Sequence, residues 1–222
     1  MFADLISIIY PQTCLNCNET LISAENFICT KCKLDLPVTD DHENPENSLF
    51  QKFAFERRIK SASSYLYFNQ GGIAQKLLHD LKYNGVSAIG NSMGEWYGEE
   101  LAKAMMPDLI IPVPLHKSKY RKRGYNQSHH IALGLASAFP ESEIRSDIIL
   151  RKKRTTTQTS KGKLERWQNM DNVYSDVRED ITDKTILVVD DVITTGATVG
   201  MFCDKLIEAG ARSIHIACMA RR

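Results

Sequence analysis

Apolar residues along this 222-residue chain follow two spacings, one typical of buried strands and one typical of helices. Short aliphatic runs predict strands, because a strand buried on both faces needs apolar residues at nearly every position. Apolar residues three and four positions apart, as in 72–83, predict an amphipathic helix instead. We predict strands at 62–68, 109–114, 147–150, 185–191 and 213–220, and helices at 72–83, 91–106, 126–138 and 198–209.

The alternation of strands and helices predicts an α/β fold, with a parallel sheet and helices on both faces. In such sheets, ligands bind at the carboxyl ends of the strands. Three polar stretches lie at the ends of predicted strands, at 112–127, 151–169 and 190–198. We therefore expect these stretches to meet in a shared site.

Composition places the chain among ordinary globular proteins, with 43% hydrophobic and 25% charged residues. The net charge of +1 hides local segregation, because 117–123 is basic and 37–50 is acidic and punctuated by proline. We predict three parts, which are a small cysteine-rich module at 1–36, an acidic linker at 37–50 and the α/β domain at 51–222.

Residues 1–10, "MFADLISIIY", are the one stretch that invites comparison with a targeting or membrane segment. They lack the positive start and small-residue cleavage site of a signal peptide, and they are too short to span a bilayer. We expect a cytoplasmic protein with no membrane insertion. A reducing cytoplasm disfavours structural disulfides.

Four cysteines are spaced Cys14-x2-Cys17-x11-Cys29-x2-Cys32. Each C-x-x-C pair brings two thiolates to one turn, and two pairs make a closed tetrahedral site typical of structural Zn²⁺. Metal binding would supply much of the folding free energy of so small a module. Two disulfides and an iron–sulfur cluster are the alternatives, and we predict a zinc ribbon.

The stretch "ILVVDDVITTGAT" (186–198) joins a predicted strand to a helix. A turn of small and hydroxyl residues before a helix suits a phosphate, because backbone N–H groups and the helix end favour an anion. Asp190 and Asp191 suit ribose hydroxyls or Mg²⁺. The alternative is a surface strand end followed by an ordinary helix start. The predicted phosphate-binding residues are Thr194, Thr195, Gly196, Ala197 and Thr198.

This pattern resembles the fingerprint of type I phosphoribosyltransferases, which bind 5-phosphoribosyl-1-diphosphate (PRPP). The resemblance implies that Asp190 and Asp191 contact the ribose hydroxyls and that 194–198 holds the 5′-phosphate. It also implies Mg²⁺ bound with PRPP, and pyrophosphate as the leaving group.

The resemblance assigns roles to the two basic stretches as well. The stretch after the strand at 109–114 corresponds to the pyrophosphate loop, with candidate residues Lys117, Lys119, Arg121 and Arg123. The stretch at 151–169 resembles the mobile catalytic hood, with candidate residues Arg151, Lys153, Arg154, Gln158, Thr159 and Arg166. A solvated charged face is the alternative for each.

The order of the motifs resembles the competence-associated ComF family. A four-cysteine ribbon precedes "LLHDLKYNG" (77–85), "IPVPLHKSKYRKRGYNQSHHIA" (111–132), "RTTTQTSKGKLERWQN" (154–169) and "VVDDVITTGAT" (188–198). Membership implies a phosphoribosyltransferase-type protein with a zinc ribbon, linked to DNA uptake or nucleotide metabolism.

Three hypotheses about function follow. The first is transfer of phosphoribose from PRPP to an unidentified acceptor. The second is a non-catalytic accessory that binds single-stranded DNA through the basic stretches and works with DNA-uptake proteins. In that case Tyr120, Tyr125 and Trp167 would stack on bases. The third is a sensor that binds PRPP or another ribose 5-phosphate without turnover.

Overall fold

The computed structural model describes residues 11–152 and 173–222. The predictions for 1–10, for Trp167 and for most of the catalytic stretch lie outside these residues. That last group comprises Lys153, Arg154, Gln158, Thr159 and Arg166.

Five parallel strands form one sheet in the order β1-β5-β4-β2-β3. Their bounds are β1 (Ile59–Tyr67), β2 (Leu109–Pro112), β3 (Glu143–Ile144), β4 (Thr185–Ile193) and β5 (Ser213–Arg221). Strand β4 lies in the middle, where Val188 pairs with Ile111 on one side and with Ile216 on the other. The carboxyl end of β4 is therefore flanked by other strand ends, as the sequence predicts.

The helices connect the strands as expected for this fold class. Their bounds are α1 (Thr30–Leu34), α2 (Ile73–Tyr83), α3 (Ser87–Leu101), α4 (Lys117–Arg123), α5 (Gln127–Ala136) and α6 (Ala197–Glu208), with a 3₁₀ turn at Phe50–Lys52. The predicted helices at 72–83, 126–138 and 198–209 are confirmed to within two residues. Helix α3 begins at Ser87 instead of residue 91 and ends at Leu101 instead of residue 106. Among the described helices, none is both long enough and apolar enough to cross a bilayer.

Two hydrophobic cores cover the two faces of the sheet. Leu187 and Val189 pack in the core that contains α2, α3 and α5, whereas Ile186 and Val188 pack in the core that contains α6. Successive side chains of a strand point to opposite faces, so the apolar run of β4 fills both cores. The predicted α/β class with helices on both faces is confirmed.

Helices α3 and α5 approach closely where glycines face each other. A Cβ on Gly134 would lie 1.9 Å from the carbonyl oxygen of Asn91, and one on Gly94 would lie 2.3 Å from that of Ile131. No larger side chain fits there without separating the helices. This contact fixes α5, whose first turn reaches the carboxyl end of β4.

The predicted strand at 147–150 is wrong. Ile148 and Ile149 are buried, but the backbone there pairs with residues 173–178 instead of the sheet. The amide of Leu150, for example, donates to Ser175 Oγ at 2.9 Å. A short apolar run indicates burial, and burial alone does not distinguish a strand from a packed loop.

The acidic segment 37–50 contacts the sheet directly. Asp41 is buried, and its Oδ2 accepts hydrogen bonds from Ser64 Oγ at 2.8 Å and from Arg221 Nε at 2.7 Å. Asn47 is also buried and donates to the Ala62 carbonyl at 2.9 Å. The segment is thus held to β1 and β5, and the boundaries of the three predicted parts stay a prediction.

Candidate functional site

The two aspartates lie inside β4, which continues beyond them to Ile193. Asp190 Oδ1 accepts from Ser128 Oγ at 3.0 Å and from the amide of Asp191 at 2.8 Å. Asp191 Oδ2 lies 2.9 Å from Lys82 Nζ. Within 11–152 and 173–222, no protein donor contacts the second oxygen of either carboxylate. Within the described part of the chain, each aspartate is thus held through one oxygen.

The surroundings of Asp190 alter its acidity. Desolvation by the packed protein, followed by repulsion from Asp191, raises the pKa of Asp190 to about 7. The hydrogen bonds from Ser128 and from the Asp191 amide, and the charge of Lys82, counteract this rise in part. Near neutral pH the pair therefore has a carboxyl that a bound cation would readily ionise.

The turn 194–198 connects the aspartates to α6. Gly196 has φ +80°, in the left-handed region, and a Cβ there would lie 2.9 Å from Phe53 Cζ. Both the backbone conformation and the contact require glycine. The Gly196 carbonyl accepts from the Gly200 amide at 2.8 Å and so starts the helix.

The backbone donors of this turn are largely open. Thr194, Thr195 and Ala197 are exposed, Gly196 is buried and Thr198 is half-buried, and the Ala197 amide has a single 3.5 Å contact with Thr195 Oγ1. In the described part of the chain, the amides of Gly196 and Thr198 have no protein acceptor. Open amides at the start of a helix are the elements of an anion site.

Residues from two other segments contact the turn, and a third residue contacts one of them. Lys52 donates to the Thr194 carbonyl, and the Tyr174 hydroxyl donates to the Thr198 carbonyl at 3.4 Å. The guanidinium of Arg151 lies 5.8 Å from the centre of the Tyr174 ring. Of the six residues predicted for the catalytic stretch, Arg151 is the one that the structure describes, and it lies on the α6 side of the site.

The segment predicted as a pyrophosphate loop is not a loop, because Lys117–Arg123 forms helix α4. Its proposed role is a separate question from its conformation. His116 caps its start, and Gly124, with φ +81°, ends it. Helical spacing separates the four candidate cations into two pairs on different faces, since residues four apart share a face. One pair is Lys117 and Arg121, and the other is Lys119 and Arg123. Hydrophobic periodicity did not predict this helix, because it has no apolar stripe.

Helix α4 connects to the aspartates through the start of α5. Arg123 Nη1 donates to Gln127 Oε1 at 2.7 Å, and Asn126 Nδ2 donates to the Val113 carbonyl at 3.0 Å. Asn126 Oδ1 accepts from the amide of Ser128, the residue that contacts Asp190. Of the second pair of cations, Arg123 thus contacts the start of α5, the helix whose Ser128 bonds Asp190.

The four cysteines come together as predicted. Their Sγ atoms all lie within 4.8 Å of one another, and Cys17 Sγ is 3.7 Å from Cys29 Sγ. Sulfurs at about 2.3 Å from a tetrahedral zinc lie roughly 3.8 Å apart, so this donor set fits Zn²⁺. The amide of Cys29 donates to Cys14 Sγ and that of Cys32 to Cys29 Sγ, each at 3.4 Å. Such bonds favour thiolates.

The cysteine cluster shares a core with the α/β domain. Phe27 stacks on Trp96 of α3 with ring centres 5.7 Å apart. Lys76 of α2 donates to Asn16 Oδ1 at 3.1 Å, and Asn16 Nδ2 donates to Cys32 Sγ at 3.3 Å. A groove of about 560 Å³ lies nearby, between Leu15 and the first half of α2. Neither Asp190 nor Asp191 lines it.

Sequence reasoning missed Lys82, Ser128, Lys52 and Tyr174. Lys82 and Ser128 occur in the motifs "LLHDLKYNG" and "YNQSHHIA", but neither residue stands out there from an ordinary helix position. Lys52 lies far from β4 in sequence, and Tyr174 precedes β4 by eleven positions in a segment without a recognisable motif. Only the fold brings all four to the aspartates and the turn.

Comparison with known proteins agrees with this arrangement. The family model for the phosphoribosyl transferase domain matches residues 107–222. The chain is 28% identical over 203 residues to the DNA utilization protein YhgH of Shigella flexneri, covering 89% of this chain and 85% of that protein.

Two competence proteins are also similar to the chain. Competence protein F of Haemophilus influenzae is 33% identical over 118 residues, covering 52% of this chain and 51% of that protein. Competence protein ComFC of Bacillus subtilis is 23% identical over 206 residues, covering 90% of this chain and 79% of that protein.

Proposed function

The chain belongs to the phosphoribosyl transferase domain family, as a phosphoribosyltransferase-like protein of the ComF family, and from this premise we propose that it binds PRPP at the carboxyl end of β4. We further propose that it transfers the phosphoribosyl group to an acceptor and releases pyrophosphate.

The proposal depends on one observation. Among the described residues, carboxylate oxygens without a protein donor lie next to backbone amides without a protein acceptor. Asp190 and Asp191 each keep one oxygen without a protein donor among the described residues, and the turn beginning three residues later has open amides. Carboxylates accept hydrogen bonds from ribose hydroxyls, whereas amides at a helix start donate to phosphate. A phosphorylated pentose has both kinds of group.

Mg²⁺ fits the same residues. It prefers oxygen ligands and is commonly held by one or two carboxylates together with substrate phosphates. The free oxygens of Asp190 and Asp191 would hold the ion, and its charge would stabilise the negative charge that develops on the departing pyrophosphate.

The basic residues would stabilise the same developing charge. Lys119 and Arg123 share the face of α4 that contacts α5, so we propose this pair for pyrophosphate. Lys117 and Arg121 lie on the other face of that helix. We propose Arg151 for the α6 side of the site, and the other predicted catalytic residues remain proposals.

The four cysteines would hold a structural Zn²⁺. With all four ligand positions taken by sulfur, the ion has no open position for substrate. Its contribution would be to fold residues 11–36 against α2 and α3. A cytoplasmic location also remains a proposal.

The test is Mg²⁺-dependent PRPP binding, measured by titration calorimetry. We expect the double substitution of Asp190→Asn and Asp191→Asn to weaken binding by at least about a hundredfold, because the ribose and metal contacts are lost together. The control is Asp147→Asn, which removes a carboxylate that is 76% exposed in its ion pair with Arg145. Unchanged affinity in the double variant would exclude the proposed site.

A second candidate function is binding of single-stranded DNA, consistent with the names of the relatives. Helix α4 exposes Lys117, Arg121 and Lys122, and beside them Tyr120 is 52% exposed. Cations that follow the backbone and aromatic rings that stack on bases are the usual elements of such surfaces. DNA-uptake proteins would be the partners in this role.

Salt dependence distinguishes this candidate from the first. We expect Arg121→Ala with Lys122→Ala to weaken binding to an oligodeoxythymidine and to reduce the salt slope by about 1 to 2. The aspartate double variant would leave that binding intact. If the double variant of Arg121 and Lys122 has the same salt slope as the wild type, α4 is not part of a DNA-binding surface.

A further inference from the structure

Lys82 contacts the candidate site from a helix that the proposed function does not otherwise use. It lies in the last turn of α2, and its Nζ is 2.9 Å from Asp191 Oδ2. The lysine side chain is 21% exposed and that of Asp191 is 15% exposed. Removing either partner from such a partly desolvated pair leaves a poorly solvated charge.

Helix α2 is held in place on several sides. Leu77, Leu78 and Leu81 are buried in the core, and the Tyr125 hydroxyl donates to the Leu81 carbonyl. At the other end of the helix, Lys76 donates to Asn16 at 3.1 Å. The backbone next to Lys82 is therefore fixed, and the ammonium group reaches Asp191 from a defined direction.

The contact with Lys82 leaves Asp191 only partly satisfied. Asp191 adjoins a second aspartate and precedes by three residues a turn whose amides at Gly196 and Thr198 have no protein acceptor among the described residues. Here Lys82 occupies Oδ2, while Oδ1 has no protein donor in the part of the chain that is described. The pair thus sets the rotation of the carboxylate and determines which oxygen faces a ligand.

We propose that Lys82 is a positioning residue of the PRPP site, which orients Asp191 so that its free oxygen meets the ribose hydroxyls or the magnesium ion. This inference rests on the proposed function. Residues that orient metal-ligating or substrate-binding side chains commonly contribute tenfold to a hundredfold in affinity.

The experiment is calorimetric titration of the full-length protein with PRPP and Mg²⁺ at constant ionic strength. We expect Lys82→Met to weaken binding tenfold to a hundredfold. Lys82→Arg keeps the cation and should remain within about fivefold of the wild type, although its geometry differs. Lys103→Met is the matched control, because it removes an ion-paired lysine that is 71% exposed and lies in the turn just after α3.

A double-mutant cycle separates positioning from general stability. If Lys82 acts through Asp191, Lys82→Met combined with Asp191→Asn should bind no more weakly than Asp191→Asn alone. Additive losses would overturn the inference. Thermal melting and zinc content, measured for every variant, show whether the fold is retained. Should Lys82→Met unfold, comparison of Lys82→Gln with Lys82→Arg decides the same question.

Failure of this inference and failure of the proposed function give different results. If Lys82→Met binds PRPP as tightly as the wild type does, the proposed role of Lys82 is overturned, and the PRPP site itself remains supported. A wild-type protein that does not bind PRPP with Mg²⁺ would overturn both.

Discussion

The cysteine cluster and the carboxylate turn are both sets of potential ligands, but they differ in how far the protein itself satisfies them. Three of the four cysteines are buried, all four sulfurs converge, and backbone amides donate to two of them. At the turn, by contrast, two carboxylate oxygens and several amides have no protein partner among the described residues.

This difference indicates the kind of ligand that each region suits. A closed set of four sulfurs excludes water and substrate, which suits an ion that stays bound and stabilises the fold. A half-open set of charged groups costs stability in the empty protein, because the desolvated carboxylates lack full compensation. Such a cost is typical of a site whose ligand arrives and leaves.

The largest expected effect concerns the cysteine cluster. Cys32→Ser should abolish metal binding and lower the free energy of unfolding by more than about 3 kcal/mol, because metal binding and folding of the module are coupled. Elemental analysis and denaturant unfolding measure the two effects. Cys203→Ala is the control, since it removes a buried cysteine of α6 outside the cluster and should retain the metal. Full metal content in Cys32→Ser would show that the cluster is not a four-sulfur site.

The next effect concerns the turn. Gly196→Ala places a Cβ 2.9 Å from Phe53 at a left-handed φ, and should destabilise the protein by about 2–4 kcal/mol. It should also weaken PRPP binding, since the open amides move. Gly200→Ala, whose Cβ would meet Phe53 at 3.9 Å, should be neutral or slightly stabilising. Equal stability of the two variants, measured by urea unfolding, would contradict the described turn.

A smaller effect tests the cost of the half-open site. The pKa of Asp190, at about 7, lies above its unfolded value, so the contribution of this carboxyl to stability is full below about pH 4 and is lost as pH rises through 7. Asp190→Asn removes that loss. The stability of this variant relative to the wild type should therefore rise by about 2–3 kcal/mol from pH 5 to pH 8.

Urea unfolding without added Mg²⁺, at both pH values, measures this gain. Asp147→Asn serves as the exposed control. If Asp190→Asn is equally stable relative to the wild type at pH 5 and pH 8, the carboxylate is not destabilised in the empty protein.

The smallest expected effect tests whether the two regions are independent. Asn16 connects Cys32 to Lys76 of α2, the helix that also contains Lys82. Asn16→Ala should cost about 0.5–1.5 kcal/mol of stability through its lost hydrogen bonds, while metal content and PRPP affinity stay unchanged. A fall in PRPP affinity would show instead that the cysteine module controls the site through α2.

Sequence alone determined the features that depend on local pattern. Aliphatic runs predicted the buried strands and amphipathic spacing predicted α2, because burial on one or both faces requires those periods. The spacing of the cysteines predicted their convergence, since a C-x-x-C turn directs both thiols to one point. The run from Ile186 to Thr198 also predicted the position of the aspartates before a helix.

The sequence pattern predicted the wrong secondary structure where a run of apolar or charged residues is compatible with two conformations. Residues 147–150 are apolar and buried, yet they pair with 173–178 and not with the sheet. Lys117–Arg123 is helical although it has no apolar face, because its caps at His116 and Gly124 define a helix that hydrophobic periodicity does not reveal.

Only the tertiary structure decided which groups meet at the end of β4. Lys82 and Ser128 lie over one hundred and over sixty positions before the aspartates that they contact, and in sequence they are ordinary polar residues of helices. Such contacts depend on how helices pack across a sheet, which is set by the sum of many weak contacts in two cores. The sequence therefore indicated the candidate ligand groups, and the packing determined how they are oriented and which of their oxygens have no protein donor among the described residues.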